Sequence, residues 1–313
     1  MYTSPYMRGI FKLRLLLLPL FLFGVILALP KSVYAAGQTL AISPTNAQLK
    51  LNQGSTNNGT FNIINQGSGT YSFKIYATPF SVKGEDYSPD YTPIPGATNI
   101  AKWFTFSTDK STASEGQSIK VNYTIKVPLN TLDGGYYAVA FGETNNPKAA
   151  VGVTINQRAG MLFFIQVGEN VVKKGSVSSF DSKFLQLPPL TSVLRITNAG
   201  SIYFQANFKY TVKDMFGDTK LQYNGQKVIL PQTTRRLAIP WTNSPTFGLF
   251  KVSGTVNFLG KDHVLGTKYV LVMSKAARFY SIVAISGFII VCIVLVIVKK
   301  SRSGGKNRHL RRR

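Results

Sequence analysis

Residues 119–127 have the sequence IKVNYTIKV, in which an apolar side chain stands at every second position. An alternation with a period of two places one face of a β-strand against a core and the other face in water. The same pattern occurs in residues 204–212 and in residues 250–258. These three segments predict a protein whose main body is built from half-buried β-strands.

Shorter apolar segments and turn signals fill the rest of the central part of the chain. Further candidate strands are residues 49–51, 60–64, 71–78, 136–142, 160–167, 192–197 and 269–273. Turn signals that contain glycine separate them at residues 57–59, 66–69, 133–135, 198–200 and 224–225. Short strands at this spacing, without a helical period between the two ends of the chain, favour β-sandwiches.

The central part is long enough for two domains and contains an internal similarity. Residues 59–67 and residues 192–200 each form an apolar segment that ends in Asn, one further residue and Gly, and each precedes an aromatic-rich segment. We therefore predict an all-β ectodomain of two tandem Ig-like β-sandwiches, at residues 38–168 and 176–274. Residues 169–175 would form the hinge between them.

The C-terminal end carries an apolar segment followed by positive charge. Residues 279–298 are twenty mostly apolar residues, which is long enough to cross about 30 Å of hydrocarbon as a helix. Eight basic residues follow within residues 299–313, and such a segment is retained in the cytoplasm. We predict a single-pass protein of the cell membrane, with a transmembrane helix, extracellular N-terminal domains and a cytoplasmic tail.

The N-terminal end has the features of a secretory signal. Three basic residues precede a short apolar segment at residues 15–29, and small or tolerated residues follow up to Ala35. We predict a signal peptide at residues 1–35 that is cleaved after Ala35. An uncleaved signal anchor is the alternative.

The charge of the chain divides between its ends and its outer part. The 36 basic and 12 acidic residues give a net charge of +24. Twelve of the basic residues lie in the signal peptide and the tail, which leaves 24 against 12 acids, a charge of +12, for the outer part. This surplus indicates an anionic neighbourhood such as wall polymers, acidic glycans or lipid headgroups, or it serves solubility alone. Nucleic acid is not indicated, because membrane topology explains the basic tail.

The only cysteine, Cys292, lies in the apolar C-terminal segment. The outer part therefore contains no disulfide, whereas a eukaryotic ectodomain of this kind would usually carry some. We infer a bacterial surface protein from a Gram-positive-type envelope.

Three motifs of the first predicted domain resemble a known family. Residues 61–67 form an apolar strand that ends in Asn-Gln-Gly, residues 116–128 form a strand that ends in Pro, and residues 133–141 form a Gly-Gly-aromatic turn. Together they resemble the peptidoglycan-binding domain of bacterial WxL-interacting cell-surface proteins. More distantly they resemble the Ig-like first domain of periplasmic pilus chaperones.

The resemblance to WxL-interacting proteins extends to the arrangement of the chain. Proteins of that family carry a signal peptide, two Ig-like domains, one membrane helix and a basic tail. The resemblance implies that the first domain contacts peptidoglycan and that the second domain holds a secreted WxL protein.

An acidic and aromatic loop is the first candidate binding site. Its residues are Glu85, Asp86, Tyr87, Asp90 and Tyr91. Loops on rigid scaffolds often carry binding residues, and tyrosines offer flat amphipathic surfaces to sugars and peptides. We predict that this loop binds a glycan or a partner protein. The alternatives are a solvated proline-rich loop and a calcium site, for which the regular ligand spacing is missing.

Arg235 and Arg236 form the second candidate site, since two neighbouring guanidinium groups could hold an anionic polymer. Outward charges at the start of a strand are the alternative interpretation. Residues 134–137 are assigned to a tight turn and the start of a strand. Trp103 and Trp241 are predicted to anchor the cores of the two sandwiches.

Catalysis is not indicated by the sequence. The outer part has one histidine, His263, and no cysteine, and its neighbour Asp262 would point to the opposite face of a strand. We expect no enzyme, no cofactor and no metal site.

The predicted function is therefore binding. The protein would bind peptidoglycan or another anionic wall polymer, a secreted surface protein, or both. A strand-exchange module similar to pilus chaperones and a passive surface spacer are the alternatives.

Overall fold

The computed structural model describes residues 39–93, 98–144 and 156–306. The predicted signal peptide at residues 1–35 lies outside the described residues, as does the end of the basic tail at residues 307–313. The described residues form nineteen β-strands, one short 3-10 helix and one long α-helix. The prediction of an all-β main body with a C-terminal helix is confirmed.

The first part of the described chain forms two sheets that enclose a core. Its strands are β1 (Leu40–Ser43), β2 (Asn46–Leu51), β3 (Thr56–Asn65), β4 (Tyr71–Pro79), β5 (Ser81–Lys83), β6 (Ser88–Asp90), β7 (Phe104–Phe106), β8 (Lys110–Ala113), β9 (Ser118–Lys126), β10 (Gly134–Thr144) and β11 (Arg158–Val167), with the 3-10 helix at Ile100–Trp103. One sheet has the order β1-β3-β9-β7 and the other has the order β2-β11-β10-β4-β8. Among the described strands of these sheets, β2 and β11 are the one parallel pair. β5 and β6 form a separate hairpin.

The second part forms another pair of sheets. Its strands are β12 (Gly175–Asp181), β13 (Leu185–Gln186), β14 (Leu190–Asn198), β15 (Phe204–Asp214), β16 (Thr219–Ile229), β17 (Thr233–Trp241), β18 (Phe247–Phe258) and β19 (Lys261–Met273). The sheets have the orders β12-β14-β17 and β13-β19-β18-β15-β16. Here only β13 and β19 run parallel. Two Ig-like β-sandwiches therefore follow one another along the chain.

The alternating segments of the sequence line the two cores. In β9 the side chains of Val121, Tyr123 and Ile125 are buried, and the lysines and the asparagine between and beside them are exposed. In β15 every second residue from Phe204 to Val212 is buried in the same way. Trp103 and Trp241 are buried in the first and second core, as predicted. The period of two in the sequence is thus the inward and outward alternation of real strands.

A buried asparagine ends β3 in the first sandwich. The Asn65 side-chain amide donates hydrogen bonds to the carbonyls of Gly69 at 2.7 Å and Ala113 at 3.0 Å. Its Oδ1 accepts a hydrogen bond from the N–H of Gly67 at 3.0 Å. The side chain thus satisfies three backbone groups where the chain turns from β3 into β4.

The second sandwich repeats this arrangement at the end of β14. The Asn198 amide donates to the carbonyls of Ile202 and Ile229, each at 2.9 Å. Its Oδ1 accepts from the N–H of Gly200 at 2.8 Å. The similarity of residues 59–67 and 192–200 in the sequence therefore corresponds to one hydrogen-bonding scheme built twice.

Two predicted turns are wrong, because their Asn-Gly pairs lie inside strands. Gly59 belongs to β3 and stands opposite Tyr123, and Gly225 belongs to β16 and stands opposite Phe208. A Cβ atom at either glycine would lie 2.3 Å from the aromatic ring across the strand pair. Both glycines make room for a cross-strand ring, and the chain continues straight through them.

The helix α1 (Lys275–Lys306) follows β19 after one residue, Ser274. The Ser274 hydroxyl accepts a hydrogen bond from the N–H of Ala277 at 3.1 Å and caps the first turn. The helix therefore begins before the predicted segment 279–298. It also continues into the basic residues, since lysine and arginine favour helices. The part Lys275–Lys299 is long and apolar enough to cross a membrane.

Candidate functional site

A hairpin of the first sandwich reaches the second sandwich. β5 and β6 are joined by a turn in which Gly84 and Tyr87 have left-handed φ angles of +64° and +60°. The ammonium group of Lys83 lies 3.0 Å from the carboxylate of Asp90 across the hairpin, and this contact lowers the pKa of Asp90. The hairpin places residues 84–87 against β14 and β17.

The two carboxylates in this turn pair with arginines of the second sandwich. Glu85 Oε2 lies 2.7 Å from Arg195 Nε, and this hydrogen bond raises the pKa of Arg195. The carbonyl of Glu85 accepts a hydrogen bond from the N–H of Arg236 at 2.8 Å. Asp86 Oδ1 lies 3.2 Å from Arg236 Nη1. The ion pairs join residues that are 110 and 150 positions apart in the sequence.

Tyr87 lies at the centre of this contact. Its hydroxyl accepts a hydrogen bond from the N–H of Leu230 at 3.0 Å and is also hydrogen-bonded to the hydroxyl of Thr233. The guanidinium carbon of Arg235 lies 4.3 Å from the centre of the Tyr87 ring, a cation–π arrangement. Burial raises the pKa of the Tyr87 phenol and lowers the pKa of Arg235. The phenol therefore acts in its neutral form as a bridge between the sandwiches.

Five of the seven residues predicted to bind a partner meet in this one place. They are Glu85, Asp86, Tyr87, Arg235 and Arg236. From the sequence we predicted the loop and the arginine pair as two separate sites. The opposite charges of the two sites are the sequence signal that could have predicted their contact. In the structure these groups contact each other. Binding of a glycan or a partner protein by them stays a prediction.

The other two predicted residues stay on the first sandwich. The carboxylate of Asp90 accepts a hydrogen bond from the N–H of Thr92 at 3.1 Å. The ring of Tyr91 packs edge-on against Phe141, with 5.2 Å between the centroids, and the guanidinium of Arg158 lies 4.9 Å from the Tyr91 centroid. Tyr91 therefore packs on β10 and β11.

Tyr137 forms a second contact between the sandwiches, which the sequence did not predict. Its hydroxyl accepts a hydrogen bond from the N–H of Tyr203 at 2.8 Å, and burial raises its pKa. The N–H of Gly135 donates to the carbonyl of Ser201 at 2.9 Å. The ring of Tyr203 packs on Phe164, with 5.0 Å between the centroids. The strand predicted to start within residues 134–137 is present, but the predicted tight turn at the glycines is wrong, because Gly134 and Gly135 already pair with β11 inside β10. The same residues also contact the second sandwich.

The segment between β11 and β12 is hydrogen-bonded to both sandwiches. On the first sandwich the carboxylate of Asp133 accepts from the N–H of Asn170 at 2.8 Å. On the second sandwich the carbonyl of Val172 accepts from the N–H of Ser201 at 2.8 Å. Residues 169–175, the predicted hinge, are therefore held to both sandwiches by hydrogen bonds. Their movement as a hinge stays a prediction.

A cleft opens between the two sandwiches beside these contacts, and we call it the interdomain cleft. One half has a volume of about 420 Å³. Phe80, Leu162 and Phe164 of the first sandwich and Val228 and Leu230 of the second sandwich line it. The rest of the lining is mostly polar and includes Asn46 and Gln48 of the edge strand β2 and Gln226 and Lys227 of the edge strand β16. We call this half the apolar half, after the five apolar side chains.

The other half of the interdomain cleft is larger and basic. Its volume is about 820 Å³. The lysine and histidine side chains that line it are Lys50, Lys173, Lys174, Lys261 and His263. No acidic residue is among its described lining, although Lys50 is paired with Glu169 at 2.8 Å. Gln48 and Gln205 line both halves, so the two halves lie side by side.

β16 offers an open edge beside the apolar half. The strand has eleven residues and, among the described strands, pairs only with β15. The carbonyl of Val228 points away from β15, because it accepts a hydrogen bond from Arg235 Nη1 at 2.7 Å. Backbone groups alternate along an antiparallel strand, so those of Asn224 and Gln226 point the same way. Within the described part of the chain these outward backbone groups have no hydrogen-bonding partner.

His263 and Asp262 make separate contacts in the described structure. Among the described residues there is no group of three or more His, Cys, Asp or Glu side chains that could hold a metal ion. The ring of His263 stacks on Phe258 with 4.2 Å between the centroids, and Asp262 accepts from the amide of Asn257 at 2.7 Å. The expectation that the protein is not an enzyme stays a prediction.

Comparison with models of protein families finds no match. Comparison with curated proteins finds no match either. Among solved structures, one similar structure is the CsuC–CsuE chaperone–tip pre-assembly complex of Acinetobacter baumannii, at 14% identity over 75% of this chain and 99% of that chain, with a TM-score of 0.38.

Two further solved structures are similar to the chain. The E. coli chaperone DraB matches at 14% identity over 75% of this chain and 97% of that chain, with a TM-score of 0.36. A PapD-like domain of human CEP192 matches at 19% identity over 42% of this chain and 85% of that chain, with a TM-score of 0.30.

Proposed function

We propose that the protein is a membrane-tethered binding protein that holds an extended segment of a secreted protein in the interdomain cleft. The observation that carries this proposal is the open edge of β16. There the backbone groups of Asn224 and Gln226 point outward without a partner within the described residues. An extended peptide can add to such an edge as a further strand, and its main-chain hydrogen bonds supply affinity.

The apolar half of the cleft would supply specificity to this strand addition. Successive side chains of an added strand point to opposite faces. Those on one face would lie against Phe80, Leu162 and Phe164, which are half-buried or buried side chains of the cleft lining. A segment with apolar side chains at alternate positions is therefore the partner that fits best.

The helix α1 supplies the second part of the proposal. Residues Lys275–Lys299 would cross the membrane once, and the basic residues after them would remain in the cytoplasm. Both sandwiches would then stand at the outer face of a Gram-positive-type cell. The mechanism is retention, since the helix fixes the protein at the membrane and the cleft holds the partner.

The resemblance to WxL-interacting surface proteins specifies the partners in this proposal. On that resemblance the partner is a secreted WxL protein, and the first sandwich contacts peptidoglycan. The more distant resemblance, to pilus chaperones, fits strand addition itself, because an Ig-like module with an unpaired edge can donate or accept a strand.

A proline at position 224 tests the open edge. The N–H of Asn224 points away from β15, so Asn224→Pro removes a donor that the existing strand pair does not use. Asn224→Ala keeps the N–H and is the matched control. In cells that carry the full-length chain, a photo-crosslinker at Gln222 should capture a secreted protein in the wild type and in the control. Asn224→Pro should lose this product.

Two results would count against strand addition. Capture that is equal in Asn224→Pro and Asn224→Ala would show that the partner does not need the backbone edge. If the wild type captures no secreted protein, the alternative function of a passive surface spacer would be favoured. Mass spectrometry of the crosslinked peptide decides a third point, whether the captured segment has apolar residues at alternate positions.

A second candidate function is the binding of an anionic wall polymer in the basic half of the cleft. The observation that favours it is the convergence of Lys173, Lys174 and Lys261 on one cavity whose described lining contains no acid. Lysines attract phosphate or carboxylate groups as point charges, and the attraction weakens as salt rises. The +12 charge of the outer part would support the same attraction.

Neutralisation of these lysines tests the second candidate. The triple variant Lys173→Gln, Lys174→Gln, Lys261→Gln should reduce retention of the detergent-solubilised full-length protein on cell-wall sacculi. Retention of the wild type should fall with salt more steeply than retention of the variant.

The control is a second triple variant that removes the same number of positive charges at exposed positions of the first sandwich. It replaces Lys110, Lys120 and Lys126 by Gln. Equal losses in both triple variants would mean that net charge alone causes retention. Sacculi stripped of their anionic polymers separate polymer binding from binding to peptidoglycan.

A further inference from the structure

Exposed apolar side chains gather at one end of the second sandwich, and we call them the apolar end patch. They are Phe184, Leu185, Leu187, Met215, Phe216 and Phe247. Phe216 is 91% exposed and Met215 is 71% exposed. Large apolar side chains that are grouped on a surface mark contact with a partner or with a membrane.

Strand register places this patch at the end of the sheet where α1 starts. Phe247, the first residue of β18, pairs with Met273, the last residue of β19. Leu185 pairs with Leu271 on the other side of β19. Because Ser274 alone separates β19 from the helix, these residues lie beside the first turn of α1.

The turn between β15 and β16 belongs to the same end. Asp214, the last residue of β15, pairs with Phe250. The chain continues beyond this pair in the direction of Phe247, so Met215 and Phe216 reach the level of the first residues of β18. From β13 to β15 the patch crosses three strand spacings, about 14 Å at roughly 4.8 Å each.

Three exposed lysines lie near the apolar end patch. Lys183 precedes Phe184, Lys213 is two residues before Met215, and Lys251 is paired with Lys213 across β15 and β18. The acidic residues of the β15–β16 turn, Asp214 and Asp218, form ion pairs with Lys220 at 2.9 Å and 3.5 Å. Apolar side chains with a basic border fit the interface of a bilayer that contains anionic lipids.

We infer that the apolar end patch docks on the bilayer surface beside α1, with Met215, Phe216 and Phe247 entering the interface. The inference rests on the membrane tether of the proposed function. The patch lies at the sheet end from which α1 begins, so the tether brings it towards the bilayer, and this placement selects lipid over a protein partner. The folded chain leaves the apolar area of these phenylalanine and methionine side chains exposed to water. Docking would remove that area from water, which is favourable.

Docking sets the distance of the interdomain cleft from the membrane. β19 runs from Lys261, which lines the basic half of the cleft, to Met273 at the patch. Thirteen residues of strand at about 3.3 Å each span roughly 40 Å. A sandwich that stands on the patch would hold the cleft above the lipid headgroups, within reach of secreted or wall components.

Spin labels on the full-length chain in nanodiscs test this inference. In a Cys292→Ser background, a label at Phe216→Cys should show a severalfold higher ratio of oxygen to nickel-complex accessibility than a label at Val264→Cys. Val264 is 82% exposed near the opposite end of β19 and is the matched control. Nanodiscs with anionic lipid should raise the ratio at position 216 above that in neutral lipid.

A label on the native Cys292 separates the failure of docking from the failure of the tether. If position 292 is accessible to oxygen and position 216 matches position 264, the tether stands and docking is wrong. If position 292 is accessible to the nickel complex, the tether itself is wrong. Dipolar broadening at position 216 in nanodiscs that hold two copies, without lipid accessibility, would assign the patch to a second copy and overturn docking.

Discussion

The guanidinium carbon of Arg235 lies 4.3 Å from the centre of the Tyr87 ring, and the two residues belong to different sandwiches. Arg235 Nη1 also donates a hydrogen bond to the carbonyl of Val228 at 2.7 Å. One arginine therefore joins the contact between the sandwiches to the end of the open edge strand. The geometry of the interdomain cleft depends on this side chain and on the phenol beneath it.

Tyr87→Phe should weaken the contact between the sandwiches. The ring would stay under Arg235, but the buried N–H of Leu230 would lose its acceptor. An unsatisfied buried donor costs about 1–3 kcal/mol, so the urea midpoint of the full-length protein in detergent should fall. Tyr91→Phe is the control, since the Tyr91 hydroxyl has no hydrogen-bonding partner among the described residues. Equal midpoints for both variants would contradict the bridging role of Tyr87.

Asn65→Ala and Asn198→Ala should each destabilise the sandwich that contains them by about 2–4 kcal/mol. Each variant removes three side-chain hydrogen bonds to backbone groups, two to carbonyls and one from an N–H. All three groups are buried at Asn198, whereas at Asn65 the carbonyl of Gly69 belongs to an exposed residue. Asn207→Ala, at an exposed position of β15, should change the unfolding free energy by less than about 0.5 kcal/mol. Chemical unfolding followed by tryptophan fluorescence measures both, because Trp103 and Trp241 report on separate cores. A loss confined to one asparagine would contradict the equivalence of the two corners.

The fold could be predicted from the sequence because its signals are local. The alternation in residues 119–127 became β9, and the repeated Asn-x-Gly became the corners at Asn65 and Asn198. The predicted turns at Gly59 and Gly225 failed, since only the aromatic ring in the neighbouring strand shows why a glycine is needed there.

The candidate site could be predicted only in its parts. The loop at Glu85 and the arginine pair at Arg235 were both recognised, yet their contact spans well over one hundred residues of sequence. Tyr137 was assigned to a strand start. Its hydrogen bond to Tyr203 joins two different sandwiches, so no local sequence pattern indicates it. The interdomain cleft has no local signal, because its walls come from β2, β16 and the connecting segment.

Tyr210 should make the protein less stable at alkaline pH. Burial raises the pKa of Tyr210 to about 12, whereas an unfolded tyrosine loses its proton near pH 10. Between these values the unfolded chain releases a proton that the folded chain keeps, so stability is complete below about pH 10 and falls as pH rises towards 12. Tyr210→Phe should show a smaller fall. Urea midpoints measured from pH 8 to pH 11.5 in both proteins check this, and parallel curves would contradict it.

Gly200→Ala should disturb the connection between the sandwiches and the basic half of the cleft. A Cβ atom at position 200 would lie 2.4 Å from the carbonyl oxygen of Val172 and 3.0 Å from the backbone nitrogen of Lys174. Because both are backbone atoms, the connecting segment must move and cannot be relieved by a side-chain rotation. Overpacking of this kind costs about 1–3 kcal/mol.

The control for Gly200→Ala is Gly266→Ala in β19, where a Cβ atom would meet nothing within 4 Å. This variant should leave the unfolding free energy unchanged or raise it slightly, since alanine restricts the unfolded chain. Distances between spin labels on the two sandwiches should broaden in Gly200→Ala and stay sharp in Gly266→Ala. A sharp distance distribution in Gly200→Ala would contradict this prediction, because the connecting segment would then shift without changing how the sandwiches are held. The next variant would remove the Gln232 side chain, which donates a hydrogen bond to the Gly200 carbonyl at 2.9 Å.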